Sequence, residues 1–324
     1  MKFQHSRFKL NRILLLLAFL LASPAVAQLA PDSPSAPDYI GNQIRAALAE
    51  TETKIDYTEL TLTFTKLVDP TIDEEAVKAE LNRMVEDILQ LAGNHPSDAE
   101  KLSALRQYIY DAGSWNDNQV FAYDQSDPLG THLPNKLIHN YLKSRLGNCV
   151  SMPTLFLILG DRIGLNLTLS TAPNHVFVHY HLQEGAVVNI ETTSGGHPFR
   201  TEWIRQNFTV TDAAGANGLY LKILSRRQTG AILASTVLEY FYEQQMYGYV
   251  PHIADALLEV YPEYEVALIL RGMAYQSMLQ INFLDKYPDL RMVPHSAIPL
   301  FNYLAQNAED SFSRVEELGY LPPA

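Results

Sequence analysis

The chain has 324 residues, a net charge of −12 and a single cysteine, Cys149. The acidic composition and the lack of any Lys/Arg run argue against nucleic acid as a partner. One cysteine excludes an intramolecular disulfide. No stretch approaches the roughly 20 apolar residues of a membrane-spanning helix, so we expect no stable membrane insertion of the mature chain.

Residues 1–27 are predicted to be a secretory signal peptide. Four basic residues precede ten unbroken apolar residues, 13–22, and small residues at 25 and 27 form a cleavage site before Gln28. The signal holds four of the 24 basic residues and none of the 36 acidic ones, so cleavage leaves 20 basic and 36 acidic residues, a net charge of −16. We expect an exported protein, periplasmic or secreted. The alternative is a retained interfacial anchor.

A flexible leader and a helical part are expected next. Residues 28–40 are predicted as the leader because residues 28–37 are rich in Pro, Ser and Ala. Residues 41–96 form the predicted helical N-terminal part. In it the pattern over 57–68 favours a helix over a strand, and a clearer helix begins at Asp73 and ends near Gly93.

Residues 97–227 are predicted as the core domain. Ser97 and Glu100 form a capping box, a loop covers 113–130, and a helix covers 134–145. Pro153 is tolerated only in a first helical turn, so the next helix should start between residues 148 and 152 and stop at Gly164. After Gly164 the apolar residues recur every second position, which is typical of β-strands. Strands are expected at 165–170, 175–181 and 186–191, followed by a Gly-rich loop over 192–198 and a short helix or turn over 203–208.

Residues 228–324 are predicted to be wholly helical. The small and aromatic residues after Tyr261 have a tetratricopeptide-like rhythm, and residues 308–318 echo it. Such helices either cover the core or bind a peptide. Fewer than about three such units do not normally stand alone, so we expect this part to dock on the core.

Cys149 is the candidate nucleophile. A thiol at a helix N-terminus meets unpaired N–H groups and the positive end of the helix dipole, and both favour thiolate. A buried, inert cysteine is the alternative. His175 and Glu191 follow on neighbouring strands and could hold a proton and orient the imidazole. Asn189 points to the same face as Glu191 and could orient the ring instead.

The histidines of the 175–181 strand offer a metal site as an alternative. His175, His179 and His181 share one face, and same-face histidines two residues apart can ligate zinc. The strand runs into a hairpin, where polar residues are commonly solvated. We therefore expect neither a metal nor another cofactor.

Three sequence motifs resemble those of the transglutaminase-like, papain-like thiol superfamily. They are Gly-Asn-Cys149-Val-Ser, Ala-Pro-Asn-His175-Val-Phe-Val and Val-Asn-Ile-Glu191-Thr-Thr. More narrowly, the chain is similar to a bacterial branch with a helical N-terminal part and tetratricopeptide-like C-terminal helices. The resemblance implies Cys149 as nucleophile, His175 as general base and acid, and Glu191 in place of the usual aspartate. Trp115 matches a tryptophan that in some relatives supplies a second oxyanion donor; it is otherwise a core aromatic.

The expected fold is α+β, with a helix bearing the cysteine packed on an antiparallel sheet and helical parts on either side. The expected function is acyl transfer on an amide through a thioester at Cys149, as a peptidase, amidase or transglutaminase. The substrate would be a peptide or protein. The alternative is a non-catalytic scaffold that binds a peptide in the same cleft. The sequence specifies no oligomeric state.

Overall fold

The computed structural model describes residues 36–322. The predicted signal peptide and most of the predicted leader lie outside this range. Four helices come first: α1 (Ala36–Leu48), α2 (Tyr57–Val68), α3 (Glu74–Ala92) and α4 (Asp98–Tyr110). Because α1 starts at Ala36, the last five residues predicted as leader are helical. Packing of α1 on a later helix explains this, since a Cβ at Gly41 would lie 2.8 Å from the His252 carbonyl oxygen.

Local side-chain chemistry sets where the early helices begin. The Asp56 carboxylate accepts from two main-chain N–H groups at the start of α2, and Asp73 caps α3 in the same way. Ser97 and Glu100 form the expected capping box of α4. Helix α3 ends at Gly93, whose φ of 88° suits glycine. The expected helix over 57–68 is confirmed.

The segment leading to the cysteine differs from its prediction. The two-residue strand β1 (Ala122–Tyr123) lies inside the predicted loop and pairs in parallel with β2 (Leu146–Gly147). Between them, the single helix expected over 134–145 is two pieces, a 3-10 turn (Leu133–Lys136) and α5 (Ile138–Ser144). The extended backbone of Leu137 (φ −82°, ψ 128°) separates the two pieces.

Helix α6 (Ser151–Arg162) is the centre of the core. It starts within the predicted window, and every residue from Ser151 to Gly160 is buried. It contacts α2, α3, α4 and α5 as well as the strands that follow it. A Cβ at Gly160 would lie 2.2 Å from the Leu167 side chain, so glycine permits the close approach of helix and sheet.

Four antiparallel strands follow in chain order, β3 (Leu167–Ala172), β4 (His175–His181), β5 (Val187–Glu191) and β6 (His197–Phe199). The first three were expected. The fourth lies where a loop was predicted. It is a three-residue edge strand containing Pro198, and proline in sheets is confined to such edges, so its sequence does not indicate a strand.

Six helices complete the described chain, namely α7 (Thr201–Asn207), α8 (Asp212–Ala216), α9 (Arg226–Glu243), α10 (Val250–Leu258), α11 (Glu265–Leu279) and α12 (Ile298–Glu317). The side chains of Leu233, Val237 and Leu238 on α9 belong to the same buried cluster as Leu155 of α6. Helices α9 to α11 therefore dock on the core, as expected, whereas α12 contributes to separate clusters. No helix in residues 36–322 combines the length and apolarity needed to cross a membrane.

Candidate active site

The thiol lies two residues before the start of α6, in a turn that Asn148 holds. The Asn148 side-chain oxygen accepts from the N–H groups of Val150 at 3.0 Å and Ser151 at 3.2 Å. Cys149 is the next residue along, half-buried and free of any disulfide. Its sulfur lies 3.8 Å from the carbonyl oxygen of Asn174, in the turn that joins β3 to β4. The helix start and the strand turn thus meet at the sulfur.

His175 is the first residue of β4, next to Asn174 in the chain. Its Nε2 lies 2.8 Å from Oε2 of Glu191, so Nδ1 is the ring nitrogen that Glu191 leaves free. A side-chain hydrogen bond with Cys149 contributes to the pKa of the ring. Burial lowers the pKa of His175, but the hydrogen bonds and charges of Cys149 and Glu191 outweigh burial and raise it to about 9. The imidazole is therefore held in its charged form at neutral pH.

Glu191 is held in place by a residue that the sequence analysis did not single out. Thr193 donates to Glu191 Oε1 from its hydroxyl at 2.6 Å and from its main-chain N–H at 3.0 Å. Burial raises the pKa of Glu191, but His175 and Thr193 outweigh this, and the pKa lies below its usual value. A charged carboxylate thus faces a charged imidazole. The Thr-Thr that follows Glu191 was the available sequence signal.

Asn189 does not reach His175. In the β4–β5 register Asn189 lies opposite His179, four residues along the strand from His175, or roughly 13 Å at about 3.3 Å per residue. Its amide donates to the Thr201 hydroxyl at 3.1 Å. Sharing a face with Glu191 is therefore insufficient, and the structure places only Glu191 in position to orient His175.

Trp115 does not offer its N–H to the thiol either. The indole N–H donates to the main-chain carbonyl of Asp111 at 3.2 Å, just after α4 ends. The ring is half-buried against the main apolar cluster. With the indole hydrogen already used, this geometry gives no support to the expected oxyanion role and agrees with the core-aromatic alternative.

The end of the loop over 113–130 lies beside the cysteine sulfur. A Cβ at Gly130, where φ is +60°, would lie 3.5 Å from Cys149 Sγ, so a side chain here would meet the thiol. The buried Asp127 carboxylate holds this loop by accepting from the N–H groups of Thr131 at 2.8 Å and His132 at 3.0 Å. The loop is therefore ordered by its own polar contacts.

The histidine strand does not assemble a metal site in the described residues. His181 bonds the hydroxyl of Thr168 at 2.7 Å. Burial lowers the pKa of His179 to about 4, which keeps that ring neutral beside Asn189. Within residues 36–322 no group of three or more His, Cys, Asp or Glu side chains is arranged to hold a metal ion.

The arrangement suits nucleophilic chemistry. A thiol at a helix start, an imidazole in contact with it and a carboxylate that orients the imidazole are the parts that acyl transfer through a thioester needs. The main-chain N–H of Cys149 supplies one donor for an oxyanion.

Known sequences resemble this chain. A model of the transglutaminase-like superfamily matches residues 75–234. Two similar proteins, both named UPF0162 protein and both from Xylella fastidiosa, are each 22% identical to it. The protein from strain Temecula1 aligns over 205 residues, 60% of this chain and 70% of its own length. The protein from a second strain aligns over 190 residues, 54% of this chain and 61% of its own.

No solved structure matches the chain significantly. The family match spans α3 through the middle of α9, and it includes the thiol helix and the four-stranded sheet. Over residues 75–234 the chain is therefore similar to the transglutaminase-like superfamily.

Proposed function

We propose that this protein catalyses cysteine-dependent acyl transfer on an amide, through a thioester at Cys149. One observation carries the proposal: the Cys149 sulfur lies 3.8 Å from the carbonyl oxygen of Asn174, and the next residue, His175, places its imidazole 2.8 Å from a buried carboxylate. The superfamily match supports the same class of chemistry. A peptide or protein is the proposed substrate, and water or an amine is the acceptor.

In the proposed reaction the Cys149 thiolate attacks the amide carbonyl carbon and forms a C–S bond. The Cys149 N–H stabilises the oxyanion. His175, which is charged at neutral pH, donates its Nδ1 proton to the leaving amine as the C–N bond breaks. The neutral ring then takes a proton from water or from an acceptor amine, which attacks the thioester and releases the thiolate. Glu191 keeps the imidazole oriented throughout.

The test is acylation by p-nitrophenyl acetate, an activated ester. Wild-type protein should release one burst equivalent of p-nitrophenolate and gain one acetyl group on Cys149, measured by absorbance and mass spectrometry. Cys149→Ala should give no burst, and His175→Ala should slow it by at least about 100-fold. A wild-type protein that behaves like Cys149→Ala would favour the non-catalytic scaffold.

We also propose that the chain is exported, to the periplasm or the medium, on the strength of the signal over residues 1–27. N-terminal sequencing of the protein recovered from an expressing bacterium should begin at Gln28. Recovery of intact Met1 in the membrane fraction would instead support the interfacial anchor.

A further inference from the structure

Three aromatic rings extend the candidate site outward from His175. Phe208 stacks on the His175 imidazole, with ring centroids 5.2 Å apart and planes 16° apart. Trp203 packs edge-on against Phe208 at 6.1 Å and against Phe199 at 5.6 Å. We call Phe199, Trp203 and Phe208 the aromatic ladder. Adding the 5.2 and 6.1 Å steps places the indole centroid at most 11.3 Å from the imidazole centroid.

The aromatic ladder is anchored in the protein but open to solvent at its end. Phe199 packs on the fully buried Phe177 at 5.3 Å, and both phenylalanines lie against a small buried cluster that includes Ile204. The Trp203 side chain is nevertheless 42% exposed. Isolated exposed apolar residues are ordinary, but this indole is held by two rings and connected to the reactive imidazole. A rigid exposed ring loses little entropy on binding.

The proposed chemistry determines which part of a substrate meets these rings. His175 protonates the leaving amine, so that amine must lie beside the imidazole. The residues that follow the amine are therefore the part of the substrate that lies nearest the aromatic ladder, whose Phe208 ring stacks on His175. An extended chain advances about 3.4 Å per residue, so 11.3 Å corresponds to about three residues.

We infer that the aromatic ladder is a subsite for an apolar, preferentially aromatic, side chain within the first three residues on the leaving-group side of the amide. The inference rests on the proposed acyl-transfer function and names the substrate class at that same site. By microscopic reversibility the subsite also binds an acceptor amine in the second half-reaction.

The second half-reaction gives a direct test with a defined probe. Acetyl-enzyme is prepared from the full-length protein and p-nitrophenyl acetate, then offered Gly-Gly-Gly-amide or the three versions that carry one Phe. The amine nitrogen attacks the acetyl carbonyl, and the C–N bond forms as the C–S bond breaks. Neutral His175 accepts the amine proton, and Cys149 leaves as thiolate. The ratio of acetyl-peptide to acetate, measured by chromatography, gives the partition between amine and water.

At least one Phe-containing acceptor should partition about tenfold better than Gly-Gly-Gly-amide with the wild-type protein. In Trp203→Ala that preference should fall to near one, and Trp203→Phe, which keeps a ring in place, should retain part of it. Tyr39→Ala removes an exposed aromatic on α1, outside the ladder, and should keep the full preference.

Three outcomes would overturn the inference. Equal partition of all four acceptors by the wild-type protein would show that no aromatic subsite exists. An unchanged preference in Trp203→Ala would place the subsite elsewhere. Failure of the wild-type protein to form any acetyl-enzyme would instead overturn the proposed function, and the inference with it.

Discussion

The glutamate at the third position of the site is one methylene longer than aspartate, and Thr193 compensates for that length. Two hydrogen bonds from Thr193 occupy Oε1, so only Oε2 is turned toward His175. The longer side chain is thereby given a single orientation. Burial lowers the pKa of His175, but the hydrogen bond with Cys149 and this charge pair together raise it to about 9.

Glu191→Gln should lower the pKa of His175. The amide keeps a polar group at the same place but removes the negative charge that favours imidazolium, so the pKa should fall from about 9 by roughly 1 to 3 pH units. The imidazole would then lose its proton at a lower pH, and the basic limit of any acylation activity should move down with it. NMR titration of the His175 ring protons measures this directly.

Asn189→Ala is the matched control, because Asn189 lies on the same face of the same strand but contacts Thr201. In this variant the pKa of His175 should stay near 9. A drop in Asn189→Ala without one in Glu191→Gln would show that the carboxylate is not the orienting group.

At the scale of the elements, a buried ion pair connects the segment before the cysteine to α9. The Lys136 ammonium pairs with the Glu239 carboxylate, and their side chains are only 4% and 9% exposed. Burial lowers the pKa of Lys136, but Glu239 outweighs burial and raises it, so the ammonium is charged. Lys136 and Val150 line the same small cavity, so the lysine lies near the N-terminal cap of the thiol helix.

Glu239→Gln should destabilise the protein strongly, because it leaves the Lys136 charge buried without a partner. We expect a loss of about 3–5 kcal/mol in the free energy of unfolding, measured by urea denaturation. The double variant Lys136→Met/Glu239→Leu should recover most of that loss, since apolar side chains need no partner.

Glu80→Gln provides an exposed comparison, because it breaks the partly exposed Glu80–Arg83 pair on α3 and should cost less than about 1 kcal/mol. Equal losses from the two single variants would contradict the view that burial makes the Lys136–Glu239 pair important.

At the scale of the molecule, helices α9 to α11 and the thiol helix share one core. Leu233, Val237 and Leu238 of α9 pack in the cluster that also contains Leu155 and Leu167. By contrast, Leu304 and Ala308 of α12 belong to a separate, smaller cluster.

A chain truncated after Ser225 should be unstable or aggregate, because removal of α9 exposes the apolar face of the remaining core. A chain truncated after Leu290 keeps α9 to α11. Its melting temperature should therefore fall less than that of the shorter chain. Differential scanning calorimetry and size-exclusion chromatography compare the two. A soluble 1–225 chain that melts cooperatively at the full-length temperature would show that the C-terminal helices are an independent module.

Local sequence rules predicted the elements that depend on neighbours in the chain. The capping residues Asp73 and Ser97 predicted helix starts, and Pro153 predicted the start of the thiol helix, because these signals act within one helical turn. The alternation of apolar and polar residues predicted β3, β4 and β5 for a similar reason. The division of the chain into domains remains a prediction.

The sequence by itself therefore determined the helices and strands whose signals are local, and the residue types near their ends, Cys149 and His175 among them. The short strands β1 and β6, which depend on pairing with another segment, were not predicted. Only the tertiary structure decided which side chains meet. Strand register placed Glu191 and not Asn189 near His175, loop packing placed Gly130 beside the thiol, and Phe208 reached His175 from a later segment. Register and packing depend on contacts between residues far apart in the chain, and local periodicity carries no information about them.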